Sequence, residues 1–319
     1  MSSNNPTDLT SVGNDGYVSA GDVMFLRRNV FADGVVSAKE LDALFLLGEK
    51  AEQGDREWPQ YFSEAAADFY LREEEPHGYL TQEEFVSLKG RVTRDGTKAS
   101  TLELGLLIRL LETATKTPEE MTEFVGEQIK RHVLEKDGGA VIATSDVDFI
   151  RRYIFAVGGD RNVAVTRAEA ELLFDLSDAT AKADNDSAWA ELFKKAVSNH
   201  LMAHIGYNPL GRREALRTHD AIAYDRRGSS NDGFFSRIKN LLADPAKKVE
   251  ERHRRNNEAN EQLAAQAEII TEGEADWIAD RIGRDGKLHP SEQALLSYMV
   301  DDLEADLPPK LKALSGKAA

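Results

Sequence analysis

Cysteine is absent from the 319 residues, which excludes disulfides, thiol nucleophiles and cysteine-ligated zinc and fits a reducing compartment. Long apolar runs are missing as well. None approaches the roughly 18 residues that a membrane span needs, so no transmembrane helix is expected. The opening stretch from Met1 to Asp8 has neither the basic nor the apolar region of a secretory signal, so export by that route is not expected and a cytoplasmic location is. Positive charge is scarce: 40 Lys and Arg against 56 Asp and Glu leave a net charge of -16. Nucleic-acid binding by bulk electrostatics is thereby disfavoured, because phosphate contacts require clustered cations. No Gly-rich phosphate loop, Gly-x-Ser-x-Gly elbow or dinucleotide fingerprint occurs, so no motif supports catalysis and a non-catalytic role is expected.

What the chain does contain is a sentence written twice. Asp22-Val-Met-Phe25-Leu-Arg27-Arg28-Asn-Val-Phe31 returns as Asp146-Val-Asp-Phe149-Ile-Arg151-Arg152-Tyr-Ile-Phe155. Downstream, Leu44 and Phe45 answer Leu173 and Phe174, Asp55 and Trp58 answer Asp186 and Trp189, and Phe62 answers Phe193. Charged residues make up 30% and hydrophobic ones 41%, a globular composition in a length that suits about two domains. The reading is an internal duplication, with lobes over 1–136 and 137–319. Two lobes in one chain also supply the interface that a single-lobe chain would form between subunits.

A smaller unit recurs inside each lobe: a Gly or Asp turn, one aliphatic residue, a Ser or Thr, then an acid three positions later. Its copies are Asp15-Gly16 to Asp22, Asp33-Gly34 to Glu40, His77-Gly78 to Glu84 and Asp95-Gly96 to Glu103. In the second lobe they are Ile142 to Asp146 with Ala143 in the Ser place, Val165 to Glu169, Ile270 to Glu274, and Asp285-Gly286 to Glu292. Each copy leads into apolar residues at helical spacing, such as Leu41, Leu44, Phe45 and Leu47. The expected fold class is therefore all-α, built from helix-turn-helix units. Segments with Trp58, Phe62, Ala66 and Phe69, or Trp189, Phe193, Val197 and Leu201, have the same period and are expected as central core helices.

The unit resembles the second part of an EF-hand calcium loop, with its glycine, aliphatic residue and final acid. That resemblance implies oxygen ligands at alternate loop positions and a bidentate acid at the last. The window from Glu73 to Glu84 offers Glu73, Glu75, Thr81 and Glu84, and the window from Gly158 to Glu169 offers Asp160, Asn162 and Glu169. Calcium is the cofactor this reading implies. The windows ending at Glu40 and Glu292 put Phe31 and Arg281 where ligands belong and are expected to be silent. Successive turns are 18 residues apart at Gly16 and Gly34 and at Gly78 and Gly96, so one short helix separates them, an arrangement similar to the acidic TerB-like tellurite-resistance proteins. A second explanation of the acids stands beside the first. Ser37 with Glu40, Thr81 with Glu84, Ser100 with Glu103, Thr166 with Glu169 and Thr271 with Glu274 are capping boxes, and Pro290 is a first-turn proline. Each cap is worth about 1 kcal/mol without any metal.

Two further features complete the reading. His200 and His204 stand one helical turn apart, the spacing of paired metal ligands and equally of a helix edge beside a core. They define an alternative, a helical metalloenzyme. The second lobe is interrupted at about 205–268, and from Gly211 to Arg255 there are 12 basic and 7 acidic residues, a net of +5 that leaves -21 for the rest. Within it, Phe234, Phe235, Ile238, Leu241 and Leu242 form an apolar face flanked by Arg237 and Lys239. Such a helix suits a groove in an acidic helical lobe, so the expected partner is a protein; the segment 234–242 is read either as an intramolecular latch exchanged for that partner or as an insertion that packs permanently and does nothing else.

Overall fold

A computed structural model describes residues 12–73, 76–94, 96, 98–156, 165–204, 276–282, 284, 287–299 and 313–314. The described chain is mostly helical, as the apolar spacing requires. Its elements are β1 (Tyr17–Val18), α1 (Ala20–Phe25) with a π-turn over Leu26–Val30, α2 (Ala38–Lys50), β2 (Gln53–Gly54), and α3 (Glu57–Asp68) with a π-turn over Phe69–Glu73. There follow α4 (Gln82–Val92), α5 (Thr101–Thr113), α6 (Glu119–Leu134), α7 (Thr144–Ala156), α8 (Arg167–Ala179), α9 (Ser187–His204) and α10 (Pro290–Ser297). Among the described residues no helix is long and apolar enough to cross a membrane. The chain gathers into two compact units, residues 1–159 with 171–192, and residues 160–170 with 193–319. The chain crosses between units inside α8 and inside α9.

The core of the first unit explains why the aromatic residues recur. Trp58 is fully buried on α3, its indole N–H donates to the Ala51 carbonyl at 2.9 Å, and its ring meets Phe62 edge-on, as Phe45 does. Tryptophan is buried here because its one polar atom has a partner. Gly54 permits this approach: a Cβ there would lie 2.4 Å from the Val18 carbonyl oxygen and 2.8 Å from the Trp58 ring. Beside α3 runs α5, in which Leu102, Leu104, Leu106, Leu107, Ile108 and Leu110 are all essentially inaccessible. A helix apolar on nearly every side must be enclosed, and α5 packs against α3, α6 and α7. The Trp helix α3 is thus central, but it shares the centre with α5, whose role the repeat did not announce.

The turns show what their glycines are for. Gly16, Gly34, Gly78 and Gly96 all have φ between 68° and 94°, the left-handed region where a side chain is strained. After the turn, the chain pairs with the segment ahead of the Trp helix. Tyr17 and Val18 pair in parallel with Gln53 and Gly54, and Asp55 N–H donates to the Val18 carbonyl at 2.9 Å. The second copy repeats the bond, Asp186 N–H donating to the Ile142 carbonyl at 2.8 Å. Each Asp side chain then accepts from the start of the preceding repeat helix: Asp55 from the Tyr17 hydroxyl and Ala20 N–H, Asp186 from the Thr144 hydroxyl. These hydrogen bonds hold both carboxyls below their ordinary range.

Candidate functional site

The repeated acids are the residues from which either a metal site or a set of helix caps would be made. Their local geometry follows from the start of each helix, where the first backbone N–H groups lack intrahelical acceptors. Glu84 Oε2 accepts from Thr81 N–H at 2.6 Å and from the Thr81 hydroxyl at 2.7 Å, while Thr81 Oγ1 accepts from Glu84 N–H at 3.3 Å. Glu103 and Ser100 exchange the same pair of bonds, as do Glu169 and Thr166. Asp22 does so with Ser19. Glu40 accepts from Val36 N–H, one residue earlier, and from the Ser37 hydroxyl. Glu292 accepts from His289 N–H at 2.8 Å ahead of Pro290, the first residue of α10.

Of the proposed cation ligands, Thr81, Glu84 and Glu169 are therefore placed, and each is engaged in a cap. Glu73 lies in the π-turn after α3, but its side chain falls outside the described residues, as do Glu75, Asp160 and Asn162 entirely. Among the described residues there is no group of three or more His, Asp or Glu side chains arranged to hold a metal ion. The partner-binding residues Phe234, Phe235, Arg237, Ile238, Lys239, Leu241 and Leu242 also lie outside the described residues.

Glu169 differs from its equivalents in its burial. It is only 2% exposed, and burial pushes its carboxyl up to about 7 against the bonds from Thr166 that favour the anion. Nearby, His200 is fully buried, with Nδ1 2.7 Å from the Val165 carbonyl oxygen and its ring edge-on to Trp277. A carbonyl oxygen only accepts, so Nδ1 bears the proton. Asn199 fixes the same loop by accepting from Val165 N–H at 2.8 Å. One histidine nitrogen is thus spent on holding the turn before α8. The side chain of His204 lies outside the described residues.

A titration consequence follows for Glu169. Unfolded, the carboxyl releases its proton near 4.5, whereas in the folded chain it does so near 7. Between those values the folded state holds the extra proton, so stability falls as pH rises through that window. Glu169→Gln keeps a cap acceptor but removes the buried charge. At pH 8 the variant is expected to be more stable by about 3 kcal/mol, with the advantage vanishing near pH 4.5. Urea unfolding of both proteins across this range checks it; a pH-independent difference would contradict it.

The cluster that sequence reasoning missed sits at the start of α7. In the second copy Ala143 replaces the hydroxyl-bearing cap residue, and Asp146 finds other partners: Ala143 N–H at 2.6 Å and the Lys136 ammonium on Oδ2. Among the described residues Oδ1 has no hydrogen bond of its own, and it lies 3.5 Å from His132 Nε2. Asp146 is 1% exposed. Burial raises its pKa, but the His132 and Lys136 side chains with the Ala143 N–H outweigh that and hold the carboxyl below its usual value. The missing hydroxyl at Ala143 was the available signal, because a buried carboxylate deprived of one donor requires another.

A polar cleft of about 230 Å³ in the first unit is lined by Glu49, Glu52, Arg94, Lys98 and Glu103. Its charges are committed: Arg94 pairs with Glu49, Glu52 accepts from Thr101 N–H at 2.8 Å, and Lys98 donates to the Glu135 carbonyl. Burial, assisted by Glu49 and Glu52, raises the Glu103 carboxyl in spite of its cap bonds. The arrangement does the work of joining helices. No family model matches the chain, and no curated protein or solved structure matches it.

Proposed function

We propose that this chain is a non-catalytic, cytoplasmic interaction or regulatory protein: two duplicated lobes of degenerate EF-hand-like units that bind a protein partner through a helix-in-groove contact. The observation that supports it is the fate of the repeated acids. Each described copy commits a carboxylate oxygen to backbone N–H groups at its own helix start. These residues then serve to set helix entry angles, and the remaining surface is free for recognition. Charge favours the partner chemistry, since -21 outside the 211–255 segment complements its own +5 and any other basic amphipathic helix.

One observation favours a second reading, a calcium sensor or buffer. Glu84 uses only Oε2 in its cap, which leaves Oε1 for a cation that Glu73, Glu75 and Thr81 would also hold. A calorimetric calcium titration of the metal-stripped full chain, in a magnesium background, separates the two. The interaction reading expects no saturable heat. Saturable binding near one or two equivalents, lost in Glu84→Gln, would replace it with the sensor.

A further inference from the structure

We propose that Asp137–Gly138, in the link between α6 and α7, is a site of spontaneous covalent modification: the aspartate cyclises onto the Gly138 amide and reopens as isoaspartate, which loosens the clamp on Asp146. The dipeptide Asp-Gly occurs six times in the chain, and its glycine, lacking a Cβ, leaves the amide nitrogen open to the neighbouring side chain. Three of the six are described in full: Asp15–Gly16, Asp33–Gly34 and Asp137–Gly138. All three aspartates are exposed, so access to water does not separate them. The register of the turn does.

At the first two pairs the glycine closes the turn. Gly16 N–H donates to the Gly13 carbonyl and Gly34 N–H to the Phe31 carbonyl, each at 3.1 Å, and Asp15 also spends Oδ1 on the Tyr17 N–H. An amide engaged in this way must open before its nitrogen can react. At the third pair the register is moved by one residue. Gly139 N–H closes the turn on the Lys136 carbonyl at 3.1 Å, which puts Asp137 and Gly138 at the two central positions, whose N–H groups do not close the turn. Among the described residues no hydrogen bond engages the Gly138 N–H, and the Asp137 carboxyl has no hydrogen-bond or ion-pair partner. Gly138 and Gly139 have φ of 97° and 107°, and a Cβ on either would meet nothing within 4 Å, so nothing crowds the peptide on which the side chain must close.

The step needs no co-reactant but water. The Gly138 nitrogen bonds to Cγ of Asp137, the C–O bond of the protonated carboxyl breaks, and the amide proton leaves with that hydroxyl as water. Water then adds back to the five-membered succinimide. Opening at the side-chain carbonyl restores aspartate; opening at the main-chain carbonyl leaves isoaspartate, in which the chain runs through Cβ and the α-carboxylate is free. Charge is unchanged, but the main chain is one atom longer. That atom enters the loop that Lys136 closes: its ammonium reaches across to the Val141 carbonyl at 3.1 Å and to Asp146, and beyond it Ile142 is fixed by Asn185 and Asp186. Lengthening a loop held at both ends displaces one of its closing contacts, and the ammonium, partly exposed on a flexible stem, is the one that yields.

Incubation of the full chain in warm, mildly acidic buffer, followed by peptide mapping that separates isoaspartyl from aspartyl peptides, tests the modification. Conversion at Asp137 is expected to run roughly three- to tenfold faster than at Asp15 or Asp33, the factor for opening one hydrogen bond, and the three rates should converge in urea. Comparable rates in the folded chain, or a preference for Asp137 that survives in urea, would overturn the assignment. Asp137→Glu keeps the charge and cannot close a five-membered ring, so it controls for conversion at every other site. After ageing, the urea midpoint of the wild type should fall further than that of Asp137→Glu. Ageing of Asp146→Asn, whose clamp is already broken, should cost no more than ageing of Asp137→Glu. An equal fall in wild type and Asp137→Glu would overturn the effect on the clamp, as would a fall in Asp146→Asn as large as that in the wild type.

Discussion

Trp58→Ala is expected to lower the stability of the first unit by about 3–5 kcal/mol, the range for deleting a large, fully buried aromatic side chain. Three losses combine at this position. The ring leaves a cavity bordered by Phe62 and Tyr61, the Ala51 carbonyl loses the indole donor at 2.9 Å, and the side of Gly54 shaped around the ring no longer has anything to fit. Neighbours held by β1, β2 and the helix start cannot collapse into the gap without breaking the pairing of Val18 with Gly54. Trp58→Phe retains most of the ring and loses the hydrogen bond, so a smaller cost of about 1–3 kcal/mol is expected. Urea unfolding followed by far-UV circular dichroism measures both. Equal costs for the two variants would show that the hydrogen bond, and not the volume, dominates.

Asp146→Asn is expected to cost about 3 kcal/mol, because it removes the anion from a buried pair and leaves Lys136 facing a neutral amide. Lys136 retains its bond to the Val141 carbonyl at 3.1 Å and is partly exposed, which keeps the figure at the lower end of the roughly 3–5 kcal/mol that breaking a buried pair costs. The counterpart Asp22→Asn should cost much less, since Asp22 is half-buried and, among the described residues, its side chain bonds only to Ser19. The pH dependence has the opposite sign to that of Glu169. The folded carboxyl of Asp146 titrates below its unfolded value of 3.8, so its contribution is complete above that value and is lost as pH falls through the folded one. The difference in urea midpoint between wild type and Asp146→Asn should accordingly narrow in acid. A difference that persists unchanged to the lowest accessible pH would mean that Asp146 acts by shape alone.

These two residues also mark how far the sequence could be read. The burial of Trp58 and Phe62 was legible because spacing along one helix decides which side chains share a face. So were the caps at Thr81 with Glu84 and Ser100 with Glu103, since both partners of such a bond lie within one turn. The clamp on Asp146 was not. Its ammonium comes from Lys136, ten residues earlier across a turn, and its imidazole from His132 on the helix before. The enclosure of α5 was equally hidden, because Leu-rich spacing says that a helix is apolar without saying which helices will surround it.

By itself, then, the sequence determined the helical elements, the glycine turns ahead of them and the pairing of each Ser or Thr with an acid three positions on, all of which depend on residues within a turn or two of one another. Tertiary structure decided which of the repeated acids is buried enough to change its ionisation, Glu169 raised by burial and Asp146 lowered by its cationic neighbours. It also decided how a repeated segment is partnered: on α7, Arg152 is clamped by Glu112 and the Tyr153 hydroxyl donates to the Thr122 carbonyl, whereas Phe25 and Arg28 of the first copy are exposed. The physical reason is the range of the forces involved. Backbone conformation and capping are fixed by near neighbours along the chain, whereas desolvation and charge pairing depend on whatever the fold brings within a few ångströms.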